Sequence, residues 1–290
     1  MTVFREIAAA KINLALHVTG RRDDGYHLLD TLVTFAEHGD VITVETARQD
    51  EFTLSGRFAG PLQSEDPAGN LVIRARDLLR ADTLAKGLPA PPVAIALQKN
   101  LPIASGIGGG SADAAATLRA LQRLWDSHLE PAALEDLALK LGADVPMCLA
   151  STSLRATGIG EELTRLPTLP SFGILLGNPL QAVSTPAIFK AMTRRDNPPI
   201  GPLPTLAEQD PWTETLCQLR NDLQPAAEIL CPHIAELCRM IAATGALVIR
   251  MSGSGATCFG LYPTYDAALA AEKLLLTERP DWYFQASQTL

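Results

Sequence analysis

Pro102-Ile103-Ala104-Ser105-Gly106-Ile107-Gly108-Gly109-Gly110-Ser111-Ala112 packs four glycines into the five positions 106–110. Before it, residues 91–98 read as a strand. After it, Ala112, Ala115, Leu118, Leu121 and Trp125 recur at helical spacing and predict a helix from about 111 to 125. Successive glycines between a strand and a helix let backbone N–H groups converge on one point. The helix start adds donors with no intrahelical acceptor and the positive end of a dipole. That arrangement stabilises an anion, and a triphosphate suits it. The loop lacks the Gly-Lys-Ser/Thr of a Walker A motif, and Ser111 stands where a dinucleotide-binding fingerprint needs its third glycine. No His-Arg-Asp or Asp-Phe-Gly set marks a protein kinase. A turn required only by packing is the plainer reading of a single Gly-x-Gly; four glycines with Ser111 at the helix start favour phosphate binding.

Working outward, residues 12–18, 40–46 and 51–55 read as strands, and 70–86 as a helix with Asn70 at its N-cap. A helix over 131–141 runs into Gly142-Ala143-Asp144-Val145-Pro146, where glycine and proline close it. Beyond residue 165 come a strand at 172–176, a proline-rich connection over 197–211 and helices at 211–219, 223–230 and 233–243. Strands at 246–251 and 257–262, a helix at 265–277 and a strand at 282–287 complete the chain. The pattern predicts an α+β chain of two domains, 1–163 and 164–290, with the active site in the cleft between them.

The 290 residues are 47% hydrophobic and carry a formal charge of −8, which argues against partners such as a nucleic-acid backbone or an anionic membrane. Five cysteines with no Cys-x-x-Cys spacing read as reduced thiols, and five histidines form no pair at ligand spacing, so no metal site is expected. Lys11 and Asn13 interrupt the early apolar stretch, which is a poor signal peptide, and no apolar run reaches the ~18 residues of a membrane span. The expectation is a cytoplasmic enzyme, monomeric or a weak homodimer.

The glycine loop fits the pattern P-x-x-x-G-[LI]-G-[SG]-[SG]-x-A. Together with Ala10-Lys11-Ile12-Asn13-Leu14, the 142–146 segment and Met251-Ser252-Gly253-Ser254-Gly255-Ala256, all in the same order, it resembles the GHMP kinase superfamily. Thr19-Gly20-Arg21-Arg22-Asp23-Asp24-Gly25-Tyr26-His27, Gly158-Ile159-Gly160-Glu161 and Arg220-Asn221-Asp222-Leu223 are similar to one branch of it. That branch phosphorylates a cytidine-diphosphate-bearing sugar alcohol of the non-mevalonate isoprenoid route. The resemblance implies ATP with Mg²⁺ as phosphoryl donor, cradled by Pro102, Ile103, Ala104, Ser105, Gly106, Ile107, Gly108, Gly109, Gly110, Ser111 and Ala112 in an N-terminal ATP-binding domain. It makes the 164–290 domain the substrate-binding one.

It further implies that Asp144 accepts the proton of the attacking hydroxyl and that Lys11 orients that hydroxyl. Asn13, Tyr26, His27, Phe189, Ser252 and Gly253 would bind the substrate, with the His27 backbone reading the base edge, Tyr26 covering a base face and Phe189 opposing it. Ile103-Ala104-Ser105 replaces a more glycine-rich entry, and Ala112-Asp113 stands where a second serine is common. Backbone donors survive both changes; side-chain contacts beyond Ser111 are not implied. Read without the resemblance, Asp144 is a loop carboxylate, Tyr26 and His27 a turn packed on the core, Phe189 a core residue of a short helix and 252–255 a hairpin turn. Lys11 sits among Ala8, Ala9, Ala10 and Ile12, a poor place for an idle charge. The functional alternatives are a mevalonate-type, homoserine or sugar kinase of the same superfamily, or a nucleotide-binding protein without catalysis.

Overall fold

The computed structural model describes residues 2–64, 66 and 69–290, and the chain divides into two compact units, neither continuous in sequence. The first gathers residues up to 10 with 38–103 and 108–151; the second gathers 11–37, 104–107 and 152–290. Strands β1 (Val3–Arg21) and β2 (His27–Thr46) each contribute one half to either unit.

In the first unit β2 pairs antiparallel with β4 (Val93–Gln98), Val41 facing Gln98 and Thr46 facing Val93. β3 (Glu51–Ser55) runs parallel to β4. Helix α1 (Leu71–Ala85) starts where the Asn70 side chain accepts from Val72 N, and buries Val72, Ala75, Leu79 and Thr83 along one face. It packs on α2 (Gly109–Leu124) and α3 (Pro131–Leu141), and α2 packs on α4 (Val145–Ala150). Buried Ala112, Ala114, Ala115, Ala116 and Ala120 let these helices close on α2.

In the second unit the first part of β2 pairs with β5 (Leu154–Gly158), and β5 with β6 (Glu162–Arg165), both antiparallel. A separate antiparallel sheet has the order β10 (Tyr283–Gln288), β7 (Gly173–Asn178), β9 (Cys258–Tyr262), β8 (Val248–Met251). All six residues of the inner strand β7 are buried. Among the helices of this unit, α5 (Thr185–Ala191), α6 (Gln209–Gln218), α7 (Gln224–Leu230), α8 (His233–Ala243) and α9 (Tyr265–Glu278), the last two lie on the sheet. Leu175, Ile234, Leu237, Ile241, Met251, Cys258 and Trp282 form their common core.

β2 is longer than the sequence pattern predicts because its polar residues are buried with partners. Asp30 is forked by Arg155 at 2.7 and 2.7 Å, Thr31 Oγ1 donates to Ala15 O at 2.6 Å, and Thr34 bonds Ser153 at 2.9 Å. α3 ends at Leu141 with Gly142 at its C-cap, as the sequence predicts, and Pro146 further on opens α4, a position where its missing N–H costs nothing. Among the described residues no helix is long and apolar enough to cross a membrane, and all five cysteines are free thiols.

Asp50, just before β3, ties α1 to the sheet. Arg80 donates to it at 2.5 and 2.7 Å and Val93 N at 2.9 Å. The Arg80 hydrogen bonds outweigh burial and lower its pKa to about 2. A carboxylate depressed on folding adds stability above its unfolded pKa, near 3.9, and loses it as pH falls toward about 2. Asp50→Asn should therefore cost about 1–2 kcal/mol in urea unfolding at pH 7, a figure already discounted for partial exposure. The gap to the parent protein should narrow steadily below pH 4, and a gap independent of pH would remove the charge from the account.

Candidate active site

The glycine loop meets the chain's late turn backbone to backbone within the second unit. Gly106 (φ +76°) passes so close to Ser252 that an added Cβ would lie 2.5 Å from Ser252 O; at Gly253 (φ +54°) a Cβ would lie 2.6 Å from Gly106 O. Only residues without a side chain fit this approach. Ser252 Oγ donates to Gly106 O at 3.1 Å and accepts from Asn13 N at 3.0 Å. Thr257 N donates to Ser105 O at 3.1 Å and Lys11 N to Ile107 O at 3.0 Å. Segment 104–107 is thus stitched on one side to β1 and on the other to the turn after β8. Gly108, left-handed at φ +65°, then opens α2, which starts at Gly109, two residues earlier than predicted. The first N–H groups of α2 have no intrahelical acceptor.

Two residues hold the late turn, and neither was assigned a role from sequence. Asn221 Nδ2 donates to Met251 O and Gly253 O, both at 2.8 Å, while its Oδ1 accepts from Leu223 N at 2.9 Å. The buried Arg250 donates to Leu14 O, to Leu216 O at 2.8 Å and to Leu219 O at 2.7 Å. Burial lowers its pKa to about 10, which leaves it cationic at neutral pH. The signals were a charge inside the apolar run Val248-Ile249-Arg250-Met251 and the Arg220-Asn221-Asp222-Leu223 motif.

Asn13, 3% exposed, donates through Nδ2 to Thr31 Oγ1 at 2.8 Å, but its Oδ1 is buried with no hydrogen-bond partner. Lys11, two residues earlier on β1, is buried as well. Tyr26, His27 and Phe189 come together, with Asp24, Gly25, Leu29 and Ile159, around a cavity of about 470 Å³. The His27 and Phe189 rings stack at 4.3 Å with 20° between their planes, and His27 Nε2 is buried without a partner. Burial, then the charges of Arg21 and Arg195, lowers the His27 pKa and favours the neutral imidazole. Tyr26 is 61% exposed and so lines the mouth of the cavity instead of packing in the core. Ile159 belongs to the Gly158–Glu161 motif, whose part in this wall was not foreseen.

In the first unit lie Pro102, Ile103 and the 108–112 part of the loop, together with Asp144. Asp144 is half-buried at the start of α4, and its side chain does not cap that helix. Among the described residues no three His, Cys, Asp or Glu side chains are grouped to hold a metal ion.

The chain matches the model of the GHMP kinases N terminal domain over residues 70–152 and that of the GHMP kinases C terminal domain over 206–276. With relatives more than half identical along nearly its whole length, it belongs to the GHMP kinase family. It is 58% identical to 4-diphosphocytidyl-2-C-methyl-D-erythritol kinase of Rhizobium etli, over 98% of this chain and 94% of that one. To the enzyme of the same name from Agrobacterium fabrum it is 54% identical, over 98% and 96%. A solved 4-(cytidine 5′-diphospho)-2C-methyl-D-erythritol kinase superposes with a TM-score of 0.81 at 33% identity, covering 99% of both chains. The homoserine kinase of Cytophaga hutchinsonii, at 15% identity and a TM-score of 0.71 over 100% and 95%, shares the fold.

Removing the Ser252 hydroxyl would leave a buried Asn13 N–H without an acceptor and Gly106 O without a donor. Ser252→Ala should lower the unfolding free energy by about 1–3 kcal/mol in urea titration. Gly106→Ala, which forces a Cβ against backbone, should lower it further; a milder effect than that of Ser252→Ala would refute the close approach as the reason for glycine.

Proposed function

We propose that this chain transfers the γ-phosphoryl group of ATP to the 2-hydroxyl of 4-diphosphocytidyl-2-C-methyl-D-erythritol, in non-mevalonate isoprenoid precursor synthesis. The observation that carries the reading is that two of the buried polar atoms without partners are Asn13 Oδ1 and His27 Nε2. They belong to two residues that the sequence resemblance makes substrate-binding. An unmet buried group costs about 1–3 kcal/mol, and a ligand that meets it restores that amount. Relatives at 54–58% identity over nearly the full length support the same substrate.

In this reading the N–H groups of 106–112 bind the phosphates of ATP, with donors already oriented and no reorganisation needed at reaction. Ser252 and Gly253 border that loop and hold the substrate end nearest the transfer. The cytosine of the acceptor enters the cavity between Tyr26 and Phe189, taking ring faces from both and an edge contact from His27. Asp144 takes the proton of the attacking hydroxyl while the buried Lys11 orients that oxygen and steadies the charge that develops on it. Mg²⁺ brought by ATP would supply charge neutralisation on the transferring group. Residues 1–163 carry the ATP and catalytic functions and 164–290 the remaining substrate contacts. The enzyme works in the cytoplasm, in keeping with its five free thiols.

ADP release measured with the cytidylyl acceptor, mevalonate, homoserine and galactose in parallel should show turnover with the first alone. Turnover only with another acceptor would discard the cytidine cavity, and none with any would discard catalysis. Asp144→Asn should lower kcat by about 10²-fold or more with KM for ATP nearly unchanged. Phe189→Ala should raise KM for the acceptor by about 5- to 100-fold, the worth of one stacked base, and leave KM for ATP alone. Equal changes in both KM values would remove Phe189 from the base site.

A further inference from the structure

Two carboxylates and an ammonium are buried together in the first unit, beside the residues by which the chain enters and leaves the glycine loop. Lys99 Nζ donates to Asp40 Oδ2 and, at 2.7 Å, to Asp113 Oδ2; the Lys99, Asp40 and Asp113 side chains are 4%, 0% and 4% exposed. Asp40 Oδ1 accepts from the backbone N–H groups of Asn100 at 2.5 Å and Leu101 at 2.8 Å. These are the residues through which the chain enters the loop. The same cluster reaches the residues through which it leaves. A Cβ on Gly109 would stand 3.2 Å from Lys99 Nζ and 3.7 Å from Asp40 Oδ2, and Asp113 lies one turn further along α2. One carboxylate of β2 therefore joins residues 99–101 to residues 109–113.

As a means of stability the cluster is a poor choice. Desolvation costs several kcal/mol per ion, and packed apolar side chains of similar volume do as well or better. One ammonium faces two carboxylates, and Asp113 Oδ1 has no hydrogen-bond partner. Burial pushes the Asp113 pKa up to about 7, with the charge of Asp40 adding to the shift and that of Lys99 opposing it. What the ions supply and apolar packing does not is direction: fixed distances between the two ends of a segment whose glycines have wide backbone freedom.

We propose that Asp40, Lys99 and Asp113 act as positioning residues that clamp the entry and exit of the glycine loop at the separation a bound triphosphate requires. This rests on the loop being the phosphate cradle. Without the clamp the cradle's N–H groups have to be ordered by the nucleotide itself, and that ordering is subtracted from its affinity. The acceptor's binding owes nothing to the clamp, so the two substrates respond differently to its loss.

The test uses the full chain, with calorimetric titration of MgADP and separate KM values for ATP and acceptor. Wild-type protein and Gly108→Val come first. Binding by the former and its loss in the latter establish the cradle, whereas no binding by wild type removes the cradle and, with it, the clamp's function. Lys99→Met/Asp113→Leu leaves Asp40 its two amide donors. It should raise Kd for MgADP and KM for ATP about tenfold or more, with KM for the acceptor within about twofold. Asp113→Asn, which keeps an oxygen for Lys99 Nζ, should return Kd to within about threefold of wild type. If the double variant does not fold, Asp113→Ala with the Lys99–Asp40 pair intact is read in the same way. A folded variant with wild-type Kd overturns the proposal, as does one that raises both KM values together while its melting temperature falls.

Discussion

The backbone of Gly106 lies directly against the backbone of the Ser252–Gly253 turn, and much of the second unit is arranged to make that approach possible. At both contacts a single methyl group would collide with a carbonyl oxygen at 2.6 Å or less. A side chain's flexibility offers no relief when the obstacle is main chain, so glycine is required there by space as well as by φ. The hydrogen bonds follow from the closeness: Ser252 Oγ is the one group short enough to serve both Gly106 O and Asn13 N. Asn221 and Arg250 then fix the turn from behind. They satisfy carbonyls on β1, on the 251–253 turn and at the end of α6 that lie where no regular ladder reaches them.

This arrangement reconciles an acidic chain with anionic ligands. A net charge of −8 repels a triphosphate at long range, but at contact distance the relevant charges are local. The start of α2 presents N–H groups with no intrahelical acceptor. Such groups act in a medium less polarisable than water, where each is worth more than an exposed lysine. No basic surface is needed, and non-specific attraction of polyanions is avoided.

Most of the long elements were legible because their periodicity is plain. α1 was marked by Asn70 and by Leu71, Ala75, Leu78 and Leu79, and α2 by its small apolar face. The first half of β2 was hidden, since Asp30, Thr31 and Thr34 break the alternation of a strand. Their partners, Arg155, Ala15 and Ser153, lie 16 to 125 residues away and are invisible to a local reading. β5, β6 and α4 span four to six residues each, too short for a period to emerge. At the site, residues set in motifs could be named one by one. Asn221, Arg250 and Ile159 act through atoms of distant segments, which a local reading does not reach. The two-unit division has the same cause: β1 and β2 are each shared between units, a property that contacts define and sequence order conceals.

Asn13 and His27 differ from Asp30, Asn221 and Arg250 in what they lack. Asp30, Asn221 and Arg250 are each hydrogen-bonded to other parts of the protein. Asn13 Oδ1 and His27 Nε2 are withdrawn from water and matched by nothing. In the proposed substrate site, atoms of that kind discriminate more sharply than an apolar wall. An acceptor that lacks the complementary hydrogen-bonding group leaves the penalty standing, whereas an apolar pocket gains only about 1–3 kcal/mol per methylene and rejects little. Selectivity in such a site follows from polar atoms held unsatisfied by rigid neighbours. Thr31, which fixes the Asn13 amide through Nδ2, and Phe189, which fixes the His27 ring by stacking, are the neighbours that hold them.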